Sequence, residues 1–168
     1  LGATSCYVGD NTDIILMRDG LTLIRRKLLN VIAMLAGFAR KYKDMPCLAY
    51  THLQPAQLTT VGKRATLWIN ELENDLTELD HRLARLALLG SKGTTGTQAS
   101  FVELFEGDEG RIKAVEESIA RQMGFDRVVP VSGQTYSRKT DFYVCAVLAG
   151  IAQSASKFSN DLRILQNF

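Results

Sequence analysis

The chain has two histidines, and one of them sits where a proton can be exchanged with a substrate. His52 lies in the polar stretch Tyr50-Thr51-His52-Leu53-Gln54-Pro55-Ala56-Gln57, outside any helical seam. An imidazole titrates near neutrality and can act as general acid or base, while neighbouring amides such as Gln54 and Gln57 can fix its tautomer. Thr4 and Ser5 are short hydroxyl donors beside flexible glycines, suited to holding a carboxylate or phosphate near a helix N-terminus. Gln134, in the run from Gly133 to Lys139, can hydrogen-bond a carboxylate or amide, with Arg138 or Lys139 supplying positive charge. The loop from Lys92 to Ser100 is rich in glycine and threonine and can wrap an anion with backbone N–H groups. It lacks the spacing of the phosphate-binding loop. Each cluster also has a plainer reading: a capping loop at Thr4 and Ser5, a solvated histidine at His52, a charged first turn at Arg138.

Other chemistry is excluded. Glu78 and His81 match the Glu-x-x-His spacing of di-iron bundles, but that site needs two such motifs and two further glutamates. Both residues also flank the apolar seam of their helix, so a solvated face is expected. His52 has no spaced serine or cysteine partner that would make a nucleophilic triad, and no metal or cofactor is called for. Cys6, Cys47 and Cys145 are odd in number and far apart, as expected of free thiols in a reducing compartment, the cytoplasm.

The elements that position these clusters are long helices. From Asp10 to Tyr42, apolar residues fall at Ile14, Met17, Leu21, Ile24, Leu28, Val31, Leu35, Phe38 and Tyr42, in alternating steps of three and four. That spacing predicts one long helix with a continuous seam, with Asp10, Asn11 and Thr12 as N-cap candidates. Ala65, Ile69, Leu72, Leu76, Leu79, Leu83 and Leu86 predict a second, with Gly90 placed to stop it. The third runs from about Thr140 to Leu165 and is apolar on every side in its first half, so neighbours must surround it. Between the second and third lie a helical turn or two at Ala99 to Phe105, an amphipathic helix at Glu109 to Met123 and a brief extended piece at Val128 to Val131. The fold class expected is all-α, a bundle of long helices. Rods of roughly 40 to 48 Å at 1.5 Å per residue need more neighbours than one chain supplies, and copies of the chain are the simplest source.

Composition sets the outer limits. The chain has 168 residues, 46% of them apolar and 23% charged, enough to fill a core. Three prolines suit long uninterrupted helices. No apolar run reaches the roughly 18 residues of a membrane span. Twenty basic and eighteen acidic residues give no reason to expect a nucleic acid polymer or a membrane surface as partner. The chain opens on Leu1 without Met and closes on Phe168 in a helical pattern, so it reads as a piece of a larger protein.

Four segments together resemble the adenylosuccinate lyase family of the fumarase/aspartase/argininosuccinase superfamily. They are Gly2 to Asp13 (GATSCYVGDNTD), Thr51 to Arg64 (THLQPAQLTTVGKR), Lys92 to Phe101 (KGTTGTQASF) and Gly133 to Lys139 (GQTYSRK). Thr-His with Gln-Pro-Ala-Gln is similar to the superfamily, and the last two strings narrow the likeness. The resemblance implies a homotetramer whose core pools long helices, with each active site composed of loops from three subunits. It implies anti β-elimination of fumarate from a succinylated nucleotide. On the same ground His52 is the general acid toward the leaving nitrogen, Thr4, Ser5 and Gln134 bind substrate, and Thr51 lines the site with the loop from Lys92 to Ser100. Residues 1–168 then make up the central helical domain. The family's mobile loop, Ser-Ser-x-Met-Pro-x-Lys-x-Asn-Pro, which carries the general-base serine, does not occur in the sequence, and neither does the upstream segment bearing a second active-site histidine. The chain alone is therefore expected to associate but not to catalyse. A related lyase acting on argininosuccinate, and a non-catalytic helical oligomerisation module, are the other readings.

Overall fold

The computed structural model describes residues 2–167. Its elements are α1 (Ser5–Lys41), β1 (Pro46–Thr51), β2 (Gln54–Thr60), α2 (Val61–Arg85), α3 (Ala99–Leu104), α4 (Glu109–Gln122) and α5 (Lys139–Leu165). Two compact units share them: Leu1–Thr22 with Arg82–Val144, and Leu23–His81 with Cys145–Phe168. The three long helices and the two short ones follow the expected periodicities closely. No helix among the described residues is long and apolar enough to cross a membrane.

In the first unit the buried apolar residues include Ile14, Leu21, Leu88, Leu89, Phe101, Ile112 and Phe125. Burying each large side chain of this kind stabilises by roughly 1.5–3 kcal/mol. Asp108 caps α4, its carboxylate accepting from the backbone N–H of Arg111. The extended piece at Val128 is paired in parallel with Leu88: Leu88 N–H donates to Arg127 O at 3.0 Å and Val129 N–H to Leu88 O at 2.8 Å.

In the second unit Ala39, Ala65 and Trp68 form a buried cluster, with Leu35, Ile69, Phe158 and Leu165 packed against it. Trp68 meets Phe158 edge to face, ring centroids 4.9 Å apart. The hairpin of β1 and β2 projects between the end of α1 and the start of α2. Its base is tied by Val61 N–H to Met45 O and Gly62 N–H to Tyr42 O, both 2.9 Å.

Several expectations are corrected. The first helix begins at Ser5, not after Thr12. Asp10 and Asn11 are buried inside it, because their side chains bond to distant backbone instead of capping their own helix. Gly90 does not stop α2, which ends at Arg85. It lies buried beyond the helix with φ 78°, where a Cβ would come within 2.5 Å of Glu116 Oε1. The polar connector around His52 is a two-stranded antiparallel sheet, not a loop. Thr51 faces Gln54, leaving His52 and Leu53 as a two-residue turn.

The seams are only partly covered. On α1, Ile14, Leu21 and Leu28 are fully buried at seven-residue intervals, while Val31 and Phe38 are exposed. On α5 only Val144 is fully buried, and Phe142, Leu148, Leu162 and Ile164 are exposed. A helix this apolar was expected to be surrounded; the single chain leaves much of it open.

Candidate active site

Three of the four motif segments meet within the first unit, and buried polar side chains hold them there. Thr4 and Ser5 stand where α1 begins, with Tyr7 N–H donating to Thr4 O at 3.0 Å. Gly2 lies against the Phe101 ring, where a Cβ would come within 3.1 Å of Cζ. Asn11 reaches Gly90 in both directions: its Nδ2 donates to Gly90 O and its Oδ1 accepts from Gly90 N–H, each at 3.0 Å. Asp10 Oδ2 accepts from Tyr136 N–H at 2.9 Å, and Oδ1 from Arg138 Nη2 at 3.3 Å. Gly96, at φ 81°, is pressed so closely on Ser132 O that no Cβ fits. The start of α1, the glycine-threonine loop and the segment from Gly133 to Arg138 are thus mutually fixed.

That loop is closed on itself. Gln98 N–H donates to Lys92 O at 3.1 Å and Gln98 Nε2 to Ser91 O at 3.0 Å, with Gln98 in the left-handed region at φ 57°. Thr94, Thr95 and Thr97 remain exposed. Arg138, which with Lys139 was a candidate source of positive charge, is engaged with carboxylates: Asp10 at 3.3 Å, Asp141 at 3.9 Å and Asp13 at 4.0 Å. Its guanidinium also covers the Tyr136 ring at 4.3 Å. Tyr136 donates its phenolic hydrogen to Asp141 at 2.6 Å. Burial, reinforced by that bond, pushes the phenol pKa up to about 12.

Against this network the candidate ligand-binding groups stand apart. Among the described residues, the hydroxyls of Thr4 and Ser5 and the side-chain amide of Gln134 have no protein hydrogen-bond partner. Thr4 and Gln134 are half-buried and Ser5 is exposed. Polar groups fixed in place with their bonding capacity unspent are suited to a polar or anionic ligand.

Thr51 and His52 belong to the second unit. His52 occupies the hairpin tip at φ 54° and Leu53 follows at φ 60°, the pair of positive φ values that a type I′ turn demands. Both are exposed. A cavity of about 420 Å³ opens beside the tip, lined in part by His52, Lys63, Arg64, Trp68 and Asp161. Gln54 and Gln57 were expected to fix the imidazole, but among the described residues no hydrogen bond reaches its ring. Glu78 and His81 are exposed, the solvated face expected from their place beside the apolar seam. Sequence reasoning missed Asp10, Asn11 and Glu116 as the side chains that hold the loops together, because their partners lie far away in the sequence.

Comparison with known proteins follows the same lines. A family model described as Lyase matches residues 10–167. Adenylosuccinate lyase of Saccharomyces cerevisiae is 54% identical over 99% of this chain, and that of Schizosaccharomyces pombe 51% over 99%. The chain spans about a third of these curated relatives, 35% of each. Among solved structures, a fumarate lyase from Mesorhizobium sp. BNC1 superposes with a TM-score of 0.84 at 28% identity, covering 98% of this chain and 37% of that one. A β-carboxy-cis,cis-muconate cycloisomerase from Acinetobacter calcoaceticus sp. ADP1, at 24% identity and a TM-score of 0.82 over 98% of this chain and 36% of that one, shares the fold. The chain therefore belongs to this lyase family, within the fumarase/aspartase superfamily that its motifs resemble.

Proposed function

We propose that this chain is the central helical part of an adenylosuccinate lyase, a cytoplasmic enzyme of purine biosynthesis. The reaction is cleavage of adenylosuccinate to AMP and fumarate, and of the related succinylated imidazole carboxamide ribotide to its carboxamide and fumarate. The observation that carries this reading is the set of unspent donors at Thr4, Ser5 and Gln134, on segments that the first unit locks together, in a chain 54% identical to a yeast adenylosuccinate lyase.

The chemistry asks for such groups. A base outside these 168 residues removes a proton from the succinyl β-carbon, and the electron pair left behind forms the new C=C bond of fumarate. The C–N bond breaks on the opposite face, its electrons go to nitrogen, and His52 donates a proton there. The succinyl carboxylate next to the carbanion takes on extra negative charge in the transition state. Fixed hydroxyls at Thr4 and Ser5 stabilise that charge without having to reorganise, while the Gln134 amide holds substrate and transition state alike. Thr4, Ser5, Thr51 and Gln134 bind substrate in this scheme. The exposed apolar rows of α1 and α5 favour a homotetramer in which sites are composed across subunits, with His52 meeting loops of other copies.

The test is fumarate release from adenylosuccinate by the intact polypeptide that contains this sequence. His52→Gln should lower kcat by about 10²- to 10⁴-fold, the range for loss of a general acid. An unchanged kcat would remove His52 from the mechanism, and turnover of argininosuccinate in preference would replace the substrate. The 168-residue chain alone should release no fumarate while still self-associating in light scattering. A folded, strictly monomeric chain would overturn the assembly.

A further inference from the structure

We propose that Asp10 is a positioning residue for substrate binding: its buried carboxylate sets the place of Gln134 relative to the hydroxyls of Thr4 and Ser5. This rests on the reading of those three residues as substrate ligands and extends it to a residue that touches no substrate.

Asp10 is 6% exposed and sits on α1 five residues beyond Ser5, so the rigid helix fixes its distance from the hydroxyl pair. Its Oδ2 accepts from Tyr136 N–H at 2.9 Å, and Tyr136 follows Gln134 by two residues. Tyr136 is itself anchored three times over: backbone to Asp10, ring beneath the Arg138 guanidinium at 4.3 Å, and hydroxyl to Asp141 at 2.6 Å. Arg138 closes the circuit by donating to Asp10 Oδ1 at 3.3 Å. Gln134 has no protein partner of its own, so its amide is aimed only by the backbone that Tyr136 pins. Removing the carboxylate would free a buried N–H and a guanidinium at once. The segment carrying Gln134 would then be released from the helix carrying Thr4 and Ser5. A group that holds substrate and transition state alike raises KM when it is misplaced and leaves kcat nearly unchanged.

The test uses the intact enzyme, with KM and kcat for adenylosuccinate measured in a double-mutant cycle between Asp10 and Gln134. Asp10→Ala should raise KM about tenfold or more with a much smaller change in kcat. Asp10→Asn keeps an acceptor for Tyr136 N–H and should restore KM to within about threefold. In the Gln134→Ala background, Asp10→Ala should add almost nothing to KM. A rise in KM of equal size in both backgrounds would overturn the proposal, showing a structural role that does not pass through Gln134. If Asp10→Ala does not fold, Arg138→Gln, at a half-exposed side chain, asks the same question. Its KM effect should vanish in the Gln134→Ala background, and an absent or additive effect would overturn the proposal. Should Gln134→Ala itself leave KM unchanged, Gln134 is no ligand, and both readings fall together.

Discussion

Lys92 Nζ lies 2.6 Å from Glu116 Oε1, with only 6% and 11% of the two side chains exposed. The same oxygen accepts from Ser91 N–H at 3.3 Å. Glu116 therefore welds α4 to the first residues of the glycine-threonine loop. A buried ion pair gives little net stability of its own, because desolvating both charges offsets most of their attraction. What it does give is intolerance of a missing partner.

Glu116→Gln should accordingly destabilise the chain by about 3–5 kcal/mol, since Lys92 is left buried beside a neutral amide. Replacing both, Lys92→Met with Glu116→Leu, should cost far less. Urea unfolding of the two variants checks this. If the single variant loses less than the double, the pair is not held as the geometry implies.

How far these features could be read from sequence depends on what each residue answers to. The helical seams were legible because their period reflects burial on one helix's own face, as Leu21, Leu28, Leu72 and Leu79 show. The hairpin was not: its turn is His52-Leu53, without the Asn-Gly or Gly-Gly that usually marks positive φ. Asp10 and Asn11 looked like caps because local pattern cannot reveal a partner more than 75 residues away, and the bonds to Gly90 and Tyr136 are of that kind. Thr4, Ser5, His52 and Gln134 stand out in the sequence only through family likeness, and the side chains that fix the segments of Thr4, Ser5 and Gln134 show only in three dimensions.

Trp68 offers a probe of the second unit. Its indole N–H donates to Asp161 Oδ2 at 2.8 Å, and Lys157 Nζ lies 2.7 Å from the same oxygen. Burial pushes the Asp161 pKa up, but the hydrogen bonds from Lys157 and Trp68 and the positive charges of Lys157 and Arg64 together outweigh it and hold the carboxyl below its ordinary value of 3.8. A carboxyl depressed in the folded state stabilises above its unfolded pKa, and that contribution is lost as pH falls through the folded value. The melting temperature should therefore drop on acidification from about pH 5 to about pH 2. Asp161→Asn should make that drop shallower, and emission of Trp68, the only tryptophan in the sequence, reports it directly. An identical acid slope in the variant would show that the pair contributes nothing.

The hairpin tip stores strain that can be measured. Leu53, at φ 60°, is not a residue that readily takes positive φ, and the left-handed region costs such a residue about 1–2 kcal/mol. Leu53→Asn should recover part of this and stabilise the chain by up to about 1 kcal/mol, because asparagine tolerates that conformation. Leu53 is 65% exposed, so little packing is lost in the exchange. Chemical denaturation decides it: a destabilised variant would mean that Leu53 is held by contacts and not merely tolerated in a strained turn.

The base of the same hairpin should be the least forgiving place in the second unit. A Cβ on Gly62 would lie 2.6 Å from Lys43 Cα and 2.7 Å from Lys43 N, and would collide with Ala39 O. All three are backbone atoms of the last turn of α1 and the turn that follows it, so no side chain can swing aside, and Gly62 N–H is already committed to Tyr42 O. Gly62→Ala must therefore push α2 away from α1 and should cost about 1–3 kcal/mol, as overpacking does. Gly37→Ala is the matched control. Its Cβ would meet nothing within 4 Å, and alanine favours the helix by about 0.5–1 kcal/mol over glycine. The two glycines lie on the same two helices, yet one substitution should destabilise and the other stabilise the isolated chain. Equal effects of the two would deny the close approach, and with it the idea that the end of α1 fixes where the strand leading to His52 begins.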